Sequence, residues 1–229
     1  MSGLRAKIDD RRRALFQEWC RDPAILVSSP SATDLQSRSL GLHLLQGGNG
    51  GPVRAQSLAT SQGQMGATIL SVPGRLPETG MSLWVPAGLK SYRAAFVAFM
   101  KHVYGEPFDA ADLNGYDVDH LLNKKRATGD DVLIRVEAVP LNVNRTWGTL
   151  FEKNASNPQF WANRKREVRS MSWMIAAKLI GKMPPRGPGD AAGIRDLAQF
   201  FGQHSDIGMS EAAITAALTD MLQFAQRFR

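Results

Sequence analysis

The chain has 229 residues, of which 43% are hydrophobic and 21% charged, with a net charge of +7. A chain of this length buries a substantial core without covalent staples, and its single cysteine, Cys20, excludes an internal disulfide, while no Cys-x-x-Cys or paired Cys/His spacing offers a structural zinc site. No run approaches the roughly 18–20 apolar residues of a membrane-spanning helix, and the charged N-terminus has no secretory h-region, so the expectation is a soluble chain with no membrane partner. The compartment expected is the cytoplasm, with export by a dedicated secretion machine left open.

The charge is unevenly spread. Residues 1–119 hold 12 Lys and Arg against 11 Asp and Glu, whereas residues 120–229 hold 16 against 10. A polyanion such as nucleic acid would therefore meet the second half of the chain.

In chain order, residues 2–20 place Leu4, Ile8, Leu15, Phe16 and Trp19 at near-helical spacing with charges between them, which predicts an amphipathic helix stopped by Asp22-Pro23. Ser28 to Ser31 have turn chemistry. The QGGNGGP run at 46–52, inside a polar stretch reaching Gln64, is too glycine-rich for a regular element and predicts a loop or hinge. It lacks the Gly-Lys-Ser/Thr ending that a phosphate-cradling loop requires. Short strands are predicted over 67–72 and 81–86, bounded by Pro and Gly. A core-facing helix is predicted over 89–103 through Tyr92, Phe96, Phe99, Met100 and Val103; His102 lies beside that face and reads as a surface or structural residue. Residues 160–182 have a helical pattern, basic first and apolar later, broken by MPPRGPG at 183–189. Two further helices are predicted, from Ile194 to Phe201 and from Ser210 nearly to Phe228.

The segment 116–153, YDVDHLLNKKRATGDDVLIRVEAVPLNVNRTWGTLFEK, carries the chemistry. An acidic residue directly precedes a histidine at the end of a short extended stretch, Tyr116 to His120. A turn at Gly129-Asp130 leads to a second strand-like run, Val132 to Val139, and Asn144 opens an expected helix through Lys153. Strand, loop, strand, helix with Asp119-His120 and Asn144-Arg145-Thr146-Trp147-Gly148 resembles the ββα-metal (His-Me) finger of HNH endonucleases, over about 40 residues.

The resemblance implies metal-dependent phosphodiester hydrolysis, in DNA more than RNA. Asp119 and Asn144 would be hard oxygen ligands for a divalent cation, Mg or Mn, and His120 on the opposite side of the strand would be the general base. Arg145 would clamp a phosphate oxygen in the catalytic step. Lys124, Lys125 and Arg126 after the histidine, and Arg164, Lys165, Arg166 and Arg169 further on, would contact the nucleic-acid backbone. The family's middle Asn, which orients the histidine, falls near Arg135, and guanidinium accepts no hydrogen bond. A backbone carbonyl, Asn142 or Asn123 would have to take that role. Asp117 shares a face with Asp119 and is either a second ligand or a solvated strand residue. The ordinary structural alternative makes Asp119-His120 a buried hydrogen-bonded pair and Asn144 a helix N-cap.

The expected architecture is α+β, a mainly helical chain with a central ββα-metal finger and a few short strands. Residues 1–105 form an N-terminal helical and loop region, 106–160 the nuclease core, and 161–229 basic and apolar C-terminal helices. Two functional classes follow. One is an endonuclease, with a defence effector or an interbacterial toxin as its setting and an immunity protein or defence-complex subunit as its protein partner. The other is a non-catalytic nucleic-acid-binding or partner-binding module built on a degenerate finger.

Overall fold

A computed structural model describes residues 2–45, 51–60, 63–105, 107–152, 167–204 and 210–226. The fold is α+β. The predicted first helix is α1, Ser2–Arg21. It buries Ile8, Leu15, Phe16 and Trp19 as its spacing requires, and a turn at Asp22 follows, with Asp22 Oδ1 accepting from Ala24 N at 2.9 Å.

Of the loop predicted at Ser28 to Ser31, only Pro30 and Ser31 lie outside regular elements, and Ser28 and Ser29 are strand. Leu26–Ser29 is strand β1, and Ala32–Leu45 is helix α2. Likewise the polar stretch predicted as a hinge contributes strand β2, Arg54–Thr60, paired antiparallel with β3, Gly63–Ser71. Glycine content misled the expectation here. Gly63 and Gly66 have φ of 116° and 64°, the backbone freedom that a hairpin and its irregular register use. Residues 46–50 of the glycine run lie outside the described residues.

A single helical turn, α3 (Pro77–Gly80), leads into β4, Met81–Pro86. The predicted core helix is α4, Tyr92–Tyr104, closed by Gly105 at φ 62°. Strands β5 (Tyr116–His120) and β6 (Leu133–Pro140) follow, then α5, Leu141–Trp147. After the undescribed residues 153–166 come the short β7, Arg169–Ser170, and helices α6 (Trp173–Leu179), α7 (Ala191–His204) and α8 (Glu211–Gln226). Residues 160–166 lie outside the described residues, and among the described residues of 160–182 the helical reading holds over Trp173–Leu179. Before it, Arg169 and Ser170 pair with β1, and Met171 N donates to Ile25 O at 2.7 Å.

Among the described residues all seven strands join one antiparallel sheet ordered β2-β3-β4-β6-β1-β7, with β5 also paired to β6. Strands from both sides of residue 106 therefore share one sheet, and β6 is its hub, bonded to β1, β4 and β5. Seven of its eight residues are buried, as expected for a strand covered on both faces.

On one side, Phe96, Phe99 and Met100 of α4 pack on Leu83, Val85, Val118, Val136 and Ala138. On the other, α1, α6, α7 and α8 form a large cluster that takes in Val139, Val143 and Trp147. Leu35 of α2 completes a third cluster over Val53, Leu70, Trp84 and Leu133. The β5–β6 pair is held between the first two clusters.

Candidate functional site

The register of β5 on β6 is Asp117↔Val139, Val118↔Ala138, Asp119↔Glu137 and His120↔Val136. Because side chains alternate along a strand, Asp117 and Asp119 share one face, and Val118 and His120 the other. Val118 anchors the second face in the α4 cluster. The His120 ring lies 4.4 Å from that of Tyr92 at the start of α4. Its Nε2 is buried with no hydrogen-bond partner among the described residues.

The acidic face belongs to α5 and α6. Leu141 N donates to Gly115 O at 2.9 Å, tying the first residue of α5 to the residue before β5. At the far end of α5, Trp147 is 2% exposed and its Nε1 donates to Lys182 O at 2.9 Å, with its ring edge-on to Trp173. Between these anchors, Asn144 Nδ2 donates to Asp117 Oδ2 at 3.4 Å, and Arg145 Nε stands 3.7 Å from the same oxygen. Asn144 Oδ1 is buried without a partner among the described residues. Lys178 reaches in from α6, its Nζ 2.5 Å from Asp119 Oδ2, with both side chains mostly buried.

Helix α5 starts at Leu141, three residues earlier than predicted, with Pro140 in the capping position. Pro suits a helix entrance because the amide hydrogen it lacks has no intrahelical acceptor there. Asn144 is therefore an interior helical residue and not an N-cap. Its side chain is free to face β5, but it meets Asp117, which the sequence reading had left open between ligand and solvated residue.

The electrostatics follow the geometry. Burial lowers the His120 pKa from its usual 6.5; Asp119 opposes this and Lys124 adds to it, so the imidazole is neutral at pH 7. Burial raises the Tyr92 phenol, and Asp119 and Asp117 raise it further, against Arg93. Tyr92, Asp117, Asp119 and His120 thus form one electrostatic neighbourhood.

The other predicted residues are spread more widely. Lys124, Lys125 and Arg126 make a 3-10 turn just beyond β5, with the two lysines exposed. Asn123 caps that turn, its Oδ1 accepting from Lys125 N at 2.9 Å, and Asn142 is exposed on α5. Arg135 is 5% exposed and bonds Glu137 through Nη2 at 3.2 Å, while its carbonyl accepts from Leu121 N. Arg169 lies half-buried in β7, away from any helical stripe, and Arg164, Lys165 and Arg166 fall outside the described residues.

Sequence reasoning missed Lys178 and the proximity of Tyr92. Lys178 sits in the apolar run WMIAAKLI, where a lone cation 94% buried signals a partner charge. Tyr92 was read as a core residue, and nothing in the sequence marks its ring as the neighbour of His120.

Three oxygen-bearing side chains, Asp117, Asp119 and Asn144, have the donor chemistry of a hard divalent cation, and the orphaned Asn144 Oδ1 is an acceptor awaiting a donor or a cation. Among the described residues, no group of three or more His, Cys, Asp and Glu is arranged to hold a metal. Any cation here would rely on the Asn oxygen and on solvent or substrate. Among the same residues no helix is long and apolar enough to cross a membrane. No protein-family model, curated protein or solved structure matches the chain.

Proposed function

We propose that the chain is a metal-dependent endonuclease of the HNH kind, acting on DNA in preference to RNA. The observation that carries this reading is the antiparallel β5–β6 pair followed directly by α5: Asn144 and Arg145 meet Asp117, on the strand face that Asp117 shares with Asp119, and burial on the other face favours the neutral imidazole of His120.

In this reading Asp119 and Asn144 would hold a divalent cation, Mg or Mn. When bound, such a cation supplies charge neutralisation at the phosphate and at the leaving oxygen. His120 would take the proton from the attacking water once its ring nitrogen, buried in this structure, is uncovered, as the new P–O bond forms, the P–O bond to the leaving sugar oxygen breaks and that oxygen takes a proton from solvent. Arg145, two-thirds exposed, pairs with a phosphate oxygen on leaving Asp117. Lys124 and Lys125, exposed just past the histidine, hold the backbone on either side of the scissile bond. A defence effector or a toxin with an immunity partner remains the proposed setting.

A second reading has specific support. Lys178 neutralises Asp119 and His120 Nε2 is covered, which suits a module that binds nucleic acid or a protein partner without cutting. Incubating supercoiled plasmid with the full chain in Mg²⁺ or Mn²⁺ separates the two. The endonuclease reading expects nicking that EDTA stops and that His120→Ala reduces at least about 100-fold with the fold retained. Cleavage by His120→Ala at the wild-type rate rejects it, and salt-sensitive binding with no cleavage favours the module.

A further inference from the structure

Between helices α1 and α2 and strands β3, β4 and β6 lies a cavity of about 70 Å³. That is room for about five waters, or for a ligand of about six non-hydrogen atoms. Its wall is apolar at Leu42, Leu70, Val72 and Trp84 and polar at Arg135 and His43. Arg135 is 5% exposed and His43 7%. Among the described residues Arg135 makes one side-chain hydrogen bond, from Nη2 to Glu137 Oε1 at 3.2 Å, and its Nε has no partner. Nor is Glu137 its own counter-charge: Arg11 holds that carboxylate through both Nε at 3.3 Å and Nη2 at 2.9 Å. His43 Nε2 is likewise buried with no partner among the described residues. The acidic groups on the wall are engaged, Glu18 with Arg75 and Asp22 Oδ1 with Ala24 N at 2.9 Å.

We propose that this cavity binds a small aliphatic monocarboxylate, with the carboxylate on Arg135 and on the Nε2–H tautomer of His43, and the tail against Leu70, Val72 and Trp84. A buried cation short of counter-charge is stabilised by an incoming anion, and the planar guanidinium fork matches a carboxylate. The apolar part of the wall selects the class. Inorganic phosphate would set polar oxygens against side chains that offer no donor, whereas a short hydrocarbon tail gains by leaving water there. Glu18, Asp22, Arg75 and Thr79 line both the cavity and the groove outside it, so they form its entrance. The two carboxylates at that entrance oppose a doubly charged anion more than a singly charged one. Neither Asp119 nor His120 lines this cavity, and the proposal is independent of the endonuclease reading.

The test titrates sodium butanoate into the ¹⁵N-labelled full chain and follows the amide and indole resonances, with butan-1-ol and inorganic phosphate as separate titrants. Butanoate is expected to bind saturably and to move the Trp84 indole N–H, which donates to Ser82 Oγ at 2.9 Å on the cavity wall. Butan-1-ol keeps the tail without the charge and phosphate the charge without the tail, and each is expected to bind at least about tenfold more weakly. Arg135→Met is expected to weaken butanoate binding at least about tenfold and His43→Leu about threefold or more, with circular dichroism checking that the fold is kept. Arg135→Lys, which keeps the charge without the fork, guards against misfolding of the Met variant and is expected to bind with an affinity between those of wild type and Arg135→Met. Absence of saturable butanoate binding to the wild-type chain, or wild-type affinity in folded Arg135→Met, overturns the proposal. Phosphate binding as tight as that of butanoate overturns the assignment to a monocarboxylate.

Discussion

Glu137 is 1% exposed and bonds two guanidiniums, Arg11 at 2.9 Å and Arg135 at 3.2 Å, themselves 1% and 5% exposed. One carboxylate thus compensates two buried positive charges, and the three positions are not equivalent. Glu137→Gln leaves both guanidiniums buried with no countercharge, the situation in which breaking a buried ion pair costs about 3–5 kcal/mol. Arg135→Met leaves a neutral Arg11–Glu137 pair and puts an apolar side chain beside Trp84, its cross-strand neighbour. By the same reasoning it costs under about 1 kcal/mol. Arg11 also donates to Pro77 O and Met81 O, so Arg11→Met falls between the two. Urea unfolding followed by circular dichroism resolves the difference. With a slope of about 2–3 kcal/mol per molar, the Glu137→Gln midpoint falls by about 1–2 M while that of Arg135→Met moves by less than about 0.5 M. Equal losses for Glu137→Gln and Arg135→Met would refute the excess-charge argument. The result bears on the site because Glu137 is the cross-strand partner of Asp119 and Arg135 O anchors Leu121 N, so this triad fixes the strand that fixes the Asp119-His120 pair.

Trp147→Ala removes the 2% exposed ring that seats α5 against α6, and is expected to cost about 3–5 kcal/mol in the same urea assay, with Trp147→Phe losing clearly less. The pH dependence of stability has a marked contributor in Asp9. Burial pulls its pKa up, but hydrogen bonds from Arg12 and Tyr116 outweigh this and hold it below the usual 3.8. A carboxyl depressed in the folded state adds stability above its unfolded pKa and loses it as pH falls through the folded value. The wild-type advantage over Asp9→Asn should therefore be full at neutral pH and shrink as pH is lowered past 3.8; an advantage that is the same at pH 3 and pH 7 would contradict this assignment.

What was legible in the sequence is what periodicity controls. The α1, α4, α7 and α8 patterns are each set by an apolar stripe wide enough to see without knowing its partner. The run Leu133–Pro140 was legible because Ile134, Val136 and Ala138 alternate with Arg135 and Glu137, the period of a strand. Of the β2–β3 hairpin only the 67–72 part of β3 was; β2 and the start of β3 were not. Its strands alternate small and polar residues such as Ala55, Ser57, Ala59 and Thr68, and its glycines serve turns that mimic a loop signature. Strand β1 and the start of α2 were hidden by the serines and the proline between them. Ser28 and Ser29 are fully buried because β1 is bonded to β6 on one edge and β7 on the other, a pairing that no local window contains. The site divides in the same way. Asp119, His120, Asn144 and Arg145 could be singled out by spacing because all belong to one strand–strand–helix unit, but that spacing did not show that Asn144 and Arg145 would meet Asp117. Lys178, 59 residues from Asp119, comes to it only through the packing of α6 on β6.

The dipeptide Asp119-His120 occupies two environments at once, and this follows from the strand alone. Consecutive residues on β5 point to opposite faces, and the two faces are covered by different elements, α4 over His120 and α5 with α6 over Asp119. The histidine is then desolvated against Tyr92, which favours its neutral form, while the carboxylate on the other face has Lys178 beside it. The carboxylate can be charge-matched by Lys178 without placing a cation against the imidazole, which would only depress the histidine further. A strand register shifted by one would send His120 to the lysine and Asp119 into the ring of Tyr92 and the phenylalanines of α4, burying an unpaired charge at a cost of several kcal/mol. The register is protected against that slip by Val118, Val136 and Ala138 on the α4 side and Val139 on the α6 side, none of which tolerates exchange with a charged neighbour. The same apolar residues that hold the sheet together therefore separate the His120 imidazole from the Asp119 carboxylate.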